Sequence, residues 1–344
     1  MAEPSTASRP AAAAAAARAG ATAVAHPNIA LIKYWGKSDE RLFLPRTDSL
    51  SMTLDVFPTT TRVTVDAGAA QDTVVFDGRL AGGERLRRIT AFLDLVRRQA
   101  GRAERAVVVT RNAGPTGAGL ASSASGFAAL ALAAAGAYGL APDARALSRL
   151  ARRGSGSASR SVFGGFALWH AGADADSFAE PVPVAGSLEP ALVVAVVDAG
   201  PKALSSREAM RRTVATSPLY EPWARSSGQD LVEIRAALGR GDLAAAGEIA
   251  ERNALGMHAT MLAARPAVRY FRPASLTVLD RVAALRQGGV GAWATMDAGP
   301  NVKVLCHRAD SAVVAAALRE AAPGAAVHVA GPGPGARLLD GAGR

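Results

Sequence analysis

The sequence predicts an α+β fold with two lobes, and three observations support this. Segments rich in Val, Thr and Phe alternate with segments whose apolar residues recur at helical spacing. A Pro-, Ala- and Asp-rich stretch at 172–190 is typical of a surface connection. It separates two parts of the chain that each contain both predicted strands and predicted helices. The chain has 344 residues, a length that allows one large or two ordinary domains, and 49% of them are hydrophobic, which is ample for a core. We therefore predict a disordered Ala-rich extension at 1–21, domains at 22–190 and 191–335, and a tail at 336–344.

The first half contains predicted strands and one clearly amphipathic helix. Leu86, Phe92 and Val96 belong to an apolar series at helical spacing, which predicts a helix at 83–99. The other elements predicted here are strands at 49–54, 60–65, 73–76, 106–110 and 163–169, and helices at 127–140 and 143–152.

The second half alternates helices with short strands. The Pro/Gly-rich stretch at 331–335 is predicted to end the ordered part. The predicted elements are helices at 206–215, 223–238, 243–262 and 275–286, and strands at 192–197, 292–296, 302–306 and 325–329.

The most informative segment is the Gly-rich loop from Pro115 to Gly126, between a predicted strand and a predicted helix. Small residues let the backbone approach a ligand closely, and the first N–H groups of a helix attract phosphate. Ser122 and Ser123 add hydroxyls for phosphate oxygens or a magnesium ion. The loop is not a Walker motif, because no Gly-Lys-Ser/Thr ends it. A Gly-rich turn capped by serine is the alternative interpretation.

Composition argues against several classes of protein. No apolar run reaches the roughly 18 uncharged residues of a membrane span, so we predict no membrane partner. Cys306 is the one cysteine; we expect a buried small hydrophobe and a reducing, cytoplasmic location. The net charge of +10 comes from scattered arginines without interleaved aromatics, so we predict no nucleic-acid partner.

Lysine is rare, which makes its positions informative. The chain contains four lysines, and two of them, Lys33 and Lys37, lie in the segment Lys-Tyr-Trp-Gly-Lys. A compact ammonium can approach a reacting centre more closely than a guanidinium. We interpret this pair as part of a site, with chance clustering on a loop as the alternative.

A Gly/Ser-rich segment at 153–160 offers Ser155, Ser157 and Arg160, which suit a phosphate or carboxylate. The alternative is a flexible linker. In Ser205-Ser-Arg207, just before a predicted helix, a serine could simply be the N-cap. Arg207 in the first turn opposes the helix dipole, which suggests that it faces an anion.

Asp297 ends an apolar strand and precedes Ala-Gly-Pro, so it is either a general base or a turn-forming residue. Asp48, with Ser49 and Ser51, is either polar support for a site or part of a turn. The histidines show no metal-ligand spacing, and we expect them to be structural.

Together these segments resemble the GHMP superfamily of small-molecule kinases and, within it, the diphosphomevalonate decarboxylase family. The superfamily motif Pro-x-x-x-Gly-Leu-Ala-Ser-Ser-Ala matches 115–124. The decarboxylase markers are more specific and follow the family's order across 22–330. They are 28–37, 154–165, Ser206-Arg207 with Met210 and Thr213, and Asp-Ala-Gly-Pro-Asn at 297–301.

The resemblance implies a GHMP-kinase-like fold with the active site in a cleft between two lobes. It implies that ATP, with Mg²⁺, phosphorylates the 3-hydroxyl of (R)-5-diphosphomevalonate, after which phosphate and CO₂ leave and isopentenyl diphosphate remains, a step of the mevalonate pathway of isoprenoid biosynthesis. It also suggests a homodimer. A related kinase or decarboxylase acting on mevalonate or mevalonate 5-phosphate stays open as the alternative.

The resemblance also implies roles for individual residues. Asp297 matches the base, Lys33 is expected close to it, and Arg160 completes the catalytic set. The residues matching the substrate site are Asn28, Tyr34, Lys37, Ser155, Ser157, Ser206, Arg207 and Met210. Those matching the ATP site are Pro115, Gly117, Gly119, Leu120, Ala121, Ser122 and Ser123, with Ser122 or Ser123 reaching magnesium through the phosphates.

Overall fold

The computed structural model describes residues 20–114, 122–200 and 204–339. Its strands are β1 (Gly20–Ala25), β2 (Asn28–Ile32), β3 (Lys37–Asp39), β4 (Leu44–Pro45), β5 (Ser49–Thr53), β6 (Thr59–Asp66), β7 (Thr73–Phe76), β8 (Arg79–Leu80), β9 (Arg105–Asn112), β10 (Phe166–Trp169), β11 (Ala179–Pro181), β12 (Pro190–Val196), β13 (Ala292–Met296), β14 (Val302–His307), β15 (Ala326–Ala330) and β16 (Arg337–Leu339). Its α-helices are α1 (Gly83–Ala100), α2 (Ser122–Ala137), α3 (Ala144–Gly154), α4 (Ser206–Thr216), α5 (Tyr220–Arg240), α6 (Leu243–Leu262), α7 (Pro273–Gln287) and α8 (Ser311–Ala321). Short 3₁₀ helices span Gly156–Val162 and Arg308–Asp310.

Three main sheets organise the chain as an α+β protein, which confirms the predicted class. The six-stranded sheet has the order β16-β1-β6-β9-β7-β8, and its one parallel pair is β7 with β9. A four-stranded sheet, β11-β10-β5-β2, also belongs to the first half of the chain. The second half forms the antiparallel sheet β13-β14-β12-β15.

Helix α2 lies at the centre of the first half, against β1 and β6. Its alanines, among them Ala128, Ala131 and Ala134, are fully buried. Because a methyl group is small, it lets the helix axis approach a sheet closely while still excluding water. Within the described residues, no helix combines the length and apolar composition of a bilayer span.

Local sequence signals explain where other helices begin and end. Asp143 caps α3, its carboxylate accepting a hydrogen bond from the Ala146 N–H. Gly101 ends α1 in the left-handed conformation, with φ of 63°. Ser205 caps α4 by accepting a hydrogen bond from the Glu208 N–H, which confirms the predicted N-cap.

The two halves of the chain share one hydrophobic cluster. Leu50 and Met52 of β5 belong to the same cluster as Leu192 of β12 and Ile234 of α5. The sheet that contains β5 and the sheet that contains β12 therefore pack together through a common hydrophobic core. Cys306 is fully buried, as its apolar context predicted.

Both ends of the described chain differ from the prediction. Residues 20 and 21, assigned to the disordered extension, begin β1, and β1 pairs with β6. Residues 337–339, assigned to the tail, form β16, which pairs antiparallel with β1 and places Leu339 opposite Thr22. The Pro/Gly-rich stretch at 331–335 does not end the ordered part. Its backbone forms hydrogen bonds with the first half of the chain, since the Gly333 N–H donates to the Thr53 carbonyl at 2.7 Å. Long-range strand pairing of this kind leaves no local sequence signal.

Several internal boundaries also shift. The helix predicted at 243–262 and the strands predicted at 73–76 and 292–296 begin and end in the structure at those residues. The predicted surface connection at 172–190 contains the short strand β11, and α2 begins at residue 122 rather than 127. The early start of α2 follows from its Ser/Ala composition, since small residues outside the apolar series are compatible with a helix.

Candidate active site

Asp297 lies immediately after β13, in the turn that connects β13 to β14. Lys33 lies immediately after β2, in a different sheet. The Lys33 Nζ is 2.8 Å from Asp297 Oδ1, and the Lys303 Nζ of β14 is 3.1 Å from Asp297 Oδ2. The two lysine side chains are 1% and 2% exposed, whereas the Asp297 side chain is 29% exposed. The carboxylate thus opens to solvent from between two buried ammonium groups.

The electrostatics of this group follow from burial and charge. Burial by itself raises the pKa of the Asp297 carboxyl, but Lys33 and Lys303 outweigh it and hold that pKa well below its usual value. Burial lowers the pKa of Lys33 to about 8, although Asp297 counteracts part of the effect. At neutral pH the site therefore contains an ionised carboxylate beside a lysine that titrates close to the physiological range.

Helix α6 positions the Lys33 backbone. The Lys33 N–H donates to Asn253 Oδ1 at 2.8 Å, and the Asn253 amide donates to Ser227 Oγ and to Asp230 Oδ2 on α5. The Lys33 ammonium also donates to the Ala30 carbonyl at 2.8 Å. Because Asn253 is itself 1% exposed and fully engaged, the segment after β2 is held rigidly against the second half of the chain.

Arg160 lies on the 3₁₀ helix Gly156–Val162 and is 2% exposed. Its guanidinium donates to Ser49 Oγ, to Ser51 Oγ at 3.0 Å and to Asn28 Oδ1 at 3.3 Å. Burial lowers its pKa to about 10, so the group stays cationic at neutral pH. Ser49 and Ser51 are thus polar support for Arg160, the first of the two interpretations that the sequence allowed.

Asn28 links Arg160 to the rest of the Gly/Ser-rich segment. Its amide nitrogen donates to the Ser157 carbonyl at 3.0 Å and to Ser161 Oγ at 2.8 Å. Asn28 and Arg160 therefore form one rigid polar unit, and their side chains come from two elements far apart in sequence.

A second group of cations lies around Phe43. The Lys37 ammonium is 5.1 Å from the Phe43 ring centroid, and the Arg207 guanidinium carbon is 5.6 Å from it. Lys37 also pairs with Glu40. Burial lowers the pKa of Lys37, and the charges of Arg207 and Arg88 add to this effect, so these cations share one neighbourhood. Such a cluster suits a ligand with several negative charges.

Tyr34 lies between the two cationic groups. Its ring is edge-on to Trp169, with centroids 4.7 Å apart. A Cβ at Gly156 would lie 2.9 Å from the Tyr34 hydroxyl, so the absence of a side chain at Gly156 leaves room for the tyrosine. The hydroxyl is buried with no hydrogen-bond partner among the described residues, and an unpaired buried hydroxyl is a group to which a ligand can bond.

The start of α2 adjoins the Gly/Ser-rich segment. The Ser155 hydroxyl donates to Ser123 Oγ at 3.3 Å. Arg88 of α1 donates to the Gly154 carbonyl at 2.7 Å and lies over the Phe127 ring of α2. Serine hydroxyls, the start of α2 and a guanidinium are therefore neighbours in the structure, and groups of these kinds suit an anion such as phosphate.

Comparison with known proteins finds a matching domain family for each half of the chain. Residues 25–179 match the diphosphomevalonate decarboxylase-like N-terminal domain, and residues 192–330 match the mevalonate 5-diphosphate decarboxylase C-terminal domain. The chain belongs to the diphosphomevalonate decarboxylase family. It is 37% identical over 321 residues to the Aspergillus fumigatus diphosphomevalonate decarboxylase mvd1, covering 87% of this chain and 80% of that protein. It is 35% identical over 308 residues to the human diphosphomevalonate decarboxylase, covering 83% of this chain and 76% of that protein.

Solved structures of the decarboxylase family share this fold. The Staphylococcus aureus mevalonate diphosphate decarboxylase has a TM-score of 0.90 at 38% identity, covering 93% of this chain and 98% of that one. A structure of MDDEF in complex with MVAPP, AMPPCP and magnesium has a TM-score of 0.89 at 44% identity, covering 93% and 99%. The GHMP-kinase-like fold that the resemblance implied is thus confirmed.

The structure brings together most residues that the sequence assigned to a decarboxylase-type site. Asp297 and Lys33 meet directly, as expected. Ser206 begins α4, one residue after its cap, and Met210 is buried in an apolar cluster with Trp35. Met210 therefore shapes the wall behind the site rather than offering a polar contact.

Part of the predicted nucleotide loop lies outside the described residues, namely Pro115, Gly117, Gly119, Leu120 and Ala121. Ser122 begins α2, and Ser123 is an exposed residue of its first turn. No group of three or more metal-ligating His, Cys, Asp or Glu side chains occurs in the described part of the chain. The hydroxyls and helix N–H groups present suit phosphate oxygens, and a magnesium ion would be held there chiefly by the phosphates of the nucleotide.

Sequence reasoning missed three members of the site: Lys303, Asn253 and Arg88. Lys303 was assigned to an apolar strand, although a lone lysine among Val302, Val304 and Leu305 in a chain with four lysines was a usable signal. Arg88 is one of many scattered arginines, and nothing in its local sequence distinguishes it from the others. Asn253 carried no signal at all, because an isolated asparagine inside a helix is ordinary.

Proposed function

We propose that this protein catalyses the ATP-dependent decarboxylation of (R)-5-diphosphomevalonate to isopentenyl diphosphate, with ADP, phosphate and CO₂ as the other products. The observation that carries the proposal is the contact of Asp297 with Lys33 in a member of the diphosphomevalonate decarboxylase family. Lys33 and Lys303 contact the Asp297 carboxylate, and a third buried cation, Arg160, interacts with it through charge. The excess positive charge favours a substrate that brings several negative charges.

In the first step the 3-hydroxyl of the substrate attacks the terminal phosphorus of ATP. Asp297 accepts the hydrogen bond of that hydroxyl and takes its proton as the new P–O bond forms, while the bond from the terminal phosphorus to the bridging oxygen breaks and ADP leaves. Because the pKa of Asp297 is low, it is a weak base, and proton transfer is expected late, when the hydroxyl oxygen has already bonded to phosphorus. Lys33 offsets the negative charge that develops on the transferring group.

In the second step the 3-phosphate leaves and the C–C bond to the carboxylate breaks. The electron pair of that bond forms the new alkene, and CO₂ departs. Arg160, with Asn28, is proposed to hold the carboxylate before it leaves. Since Arg160 is buried and bonded to Ser49 and Ser51, its position is preorganised and needs little rearrangement during reaction.

The diphosphate tail and the nucleotide occupy the remaining groups. Tail binding is proposed for Tyr34, Lys37, Ser155, Ser157, Ser206 and Arg207, and Arg88 is added because of its place beside Gly154. The nucleotide phosphates are assigned to the start of α2 with Ser122 and Ser123, where bound magnesium would neutralise phosphate charge. Binding energy from the remote tail can then support the reacting end.

The decisive experiment measures ADP and CO₂ together. Purified protein is supplied with ATP, magnesium and, in separate reactions, mevalonate, mevalonate 5-phosphate or 5-diphosphomevalonate carrying a labelled carboxyl group. We expect equimolar ADP and CO₂ with the diphosphate alone. ADP without CO₂ would identify a kinase, and CO₂ from the monophosphate would identify a different decarboxylase.

We also propose a homodimer in the cytoplasm. The family resemblance supports the dimer, and a single, buried cysteine is compatible with a reducing compartment. Sedimentation at several protein concentrations tests the first statement, and fractionation of the native cells tests the second.

A further inference from the structure

Lys303 is a buried charge in an otherwise apolar strand. Its side chain is 2% exposed, and its neighbours on β14, Val302, Val304 and Leu305, are buried in hydrophobic clusters. An ammonium in such surroundings is costly unless it is paired. Its partners are Asp297 Oδ2 at 3.1 Å and the Asn301 carbonyl at 3.3 Å. The contact with Asp297 is therefore what makes a lysine tolerable at this apolar position.

The hairpin geometry divides the two oxygens of Asp297 between two lysines. Lys303 is directly opposite Thr295 on the β13–β14 pair, and Asp297 lies two residues beyond Thr295, in the turn that joins the two strands. The contact between Lys303 and Oδ2 is therefore formed within one hairpin. Lys33 reaches Oδ1 from another sheet.

We propose that Lys303 is a positioning residue: its ammonium holds Oδ2 of Asp297 so that Oδ1 faces Lys33 and the hydroxyl that is phosphorylated. This inference rests on the proposed function, because the orientation of the carboxylate affects turnover only if Oδ1 contacts the reacting hydroxyl. When Lys33 turns toward a transferring phosphoryl group, the carboxylate keeps its orientation through Lys303. Without Lys303, Asp297 is free to rotate about its Cβ–Cγ bond at that moment.

The same arrangement acts on Lys33 through charge. The charged and titratable groups around Asp297 are Lys33, Lys303, Arg160 and His258. After burial, which is the largest influence, the charges of Lys303 and Arg160 lower the pKa of Lys33. Removing the Lys303 charge therefore raises the pKa of Lys33, since one repulsive neighbour is lost while Asp297 stays.

The test is Lys303→Met, which keeps much of the side-chain volume and removes the charge. We expect kcat to fall about 30-fold, because a reacting group loses its orientation, while both KM values change less than about threefold. We expect the alkaline limb of the kcat/KM profile, assigned to free-enzyme Lys33, to move up by about half a pH unit or more. Substrate ionisations are common to both proteins and cancel in the comparison.

The matched control is Thr295→Val, a near-isosteric change at the position opposite Lys303 that removes no charge. It should leave the alkaline limb in place. A folded Lys303→Met with wild-type kcat and an unmoved limb overturns the proposal. If Lys303→Met does not fold, the profile is measured on Lys303→Gln, where the same outcome overturns it. A wild-type protein that releases no CO₂ contradicts the proposed function instead, so the two failures are distinguishable.

Discussion

At the scale of single residues, the site depends on charged groups that are stabilised by neighbouring side chains rather than by water. Asp297 remains ionised because two ammonium groups contact it, although burial alone would favour its protonated form. Its low pKa limits its strength as a base but ensures that it accepts a hydrogen bond at any physiological pH. This combination suits phosphoryl transfer, in which positioning and charge stabilisation contribute more than proton abstraction.

Replacement of Asp297 tests that role. In Asp297→Ala we expect kcat to fall by about three orders of magnitude or more, because the hydroxyl loses its acceptor and its orientation. ATP affinity should be nearly unchanged, since the nucleotide groups at α2 are untouched. Steady-state CO₂ release and calorimetric ATP binding measure the two quantities. Turnover near the wild-type rate would remove Asp297 from the mechanism.

His258 makes a prediction about stability and pH. It is 2% exposed, its ring lies at a tilt against Phe271 with centroids 4.7 Å apart, and it hydrogen-bonds to the Met296 backbone beside Asp297. Burial lowers its pKa from 6.5 to about 4. Below pH 6.5 the unfolded chain binds a proton that the folded chain refuses, so stability falls as the pH falls toward 4. The full loss is about 3 kcal/mol.

The variant His258→Asn lacks this titration. Its free energy of unfolding should therefore decrease less between pH 7 and pH 4.5 than that of the wild type, as measured by urea unfolding at each pH. The control is His307→Asn, at an exposed position on β14, which should retain the wild-type dependence. Equal losses in all three proteins would show that His258 does not carry the effect.

At the scale of elements, the turn after β2 shows how a glycine allows two parts of the chain to meet. Gly36 has φ of 102°, and a Cβ there would lie 2.1 Å from the Tyr220 hydroxyl of α5. That hydroxyl donates to the Trp35 carbonyl at 2.8 Å. The turn that carries Lys33 and Lys37 on its two sides is thus fastened to α5 only because position 36 has no side chain.

Gly36→Ala should lower the free energy of unfolding by about 3 kcal/mol, combining backbone strain with the clash against Tyr220. Gly78→Ala is the matched control, because Gly78 also has a positive φ, 80°, but a Cβ there meets nothing within 4 Å. It should cost about 1 kcal/mol. Chemical unfolding of both variants gives the comparison, and equal costs would show that the contact with Tyr220 is unimportant.

At the scale of the whole molecule, the site exists because the two halves of the chain meet. Lys33 and Arg160 belong to the first half, whereas Asp297 and Lys303 belong to the second. The common core and the hydrogen bond from Lys33 to Asn253 fix their separation. A small movement between the halves would therefore change the distance between Asp297 and Lys33 directly.

Asn253→Ala tests this coupling. It leaves the buried Lys33 N–H without its acceptor, so we expect a loss of about 2 kcal/mol in the free energy of unfolding and a fall of about tenfold or more in kcat. Ser227→Ala is the control, because it removes one bond of the same network but none to Lys33. It should reduce stability less and leave kcat within about twofold. A loss of stability in Asn253→Ala with normal kcat would contradict the coupling.

Much of the fold and of the site could be predicted because the signals were local. Segments rich in Val, Thr and Phe marked several strands, helical spacing marked α1, and the family motif Asp-Ala-Gly-Pro-Asn marked Asp297. The strands β1 and β16 could not be predicted, because Ala-rich and Pro/Gly-adjacent segments gain their structure only from partners far along the chain.

The sequence by itself determined the α+β class, the family and most of the polar groups of the site, because residue types and their spacing already carry that chemistry. The tertiary structure alone decided that Asp297 is shared between Lys33 and Lys303, that Ser49 and Ser51 support Arg160, and that Asn253 anchors the Lys33 backbone. The physical reason is distance: these contacts join residues far apart in sequence or across a hairpin. Because these contacts are buried, their hydrogen bonds and charge interactions are stronger than those of an exposed pair, and they fix the positions of the side chains.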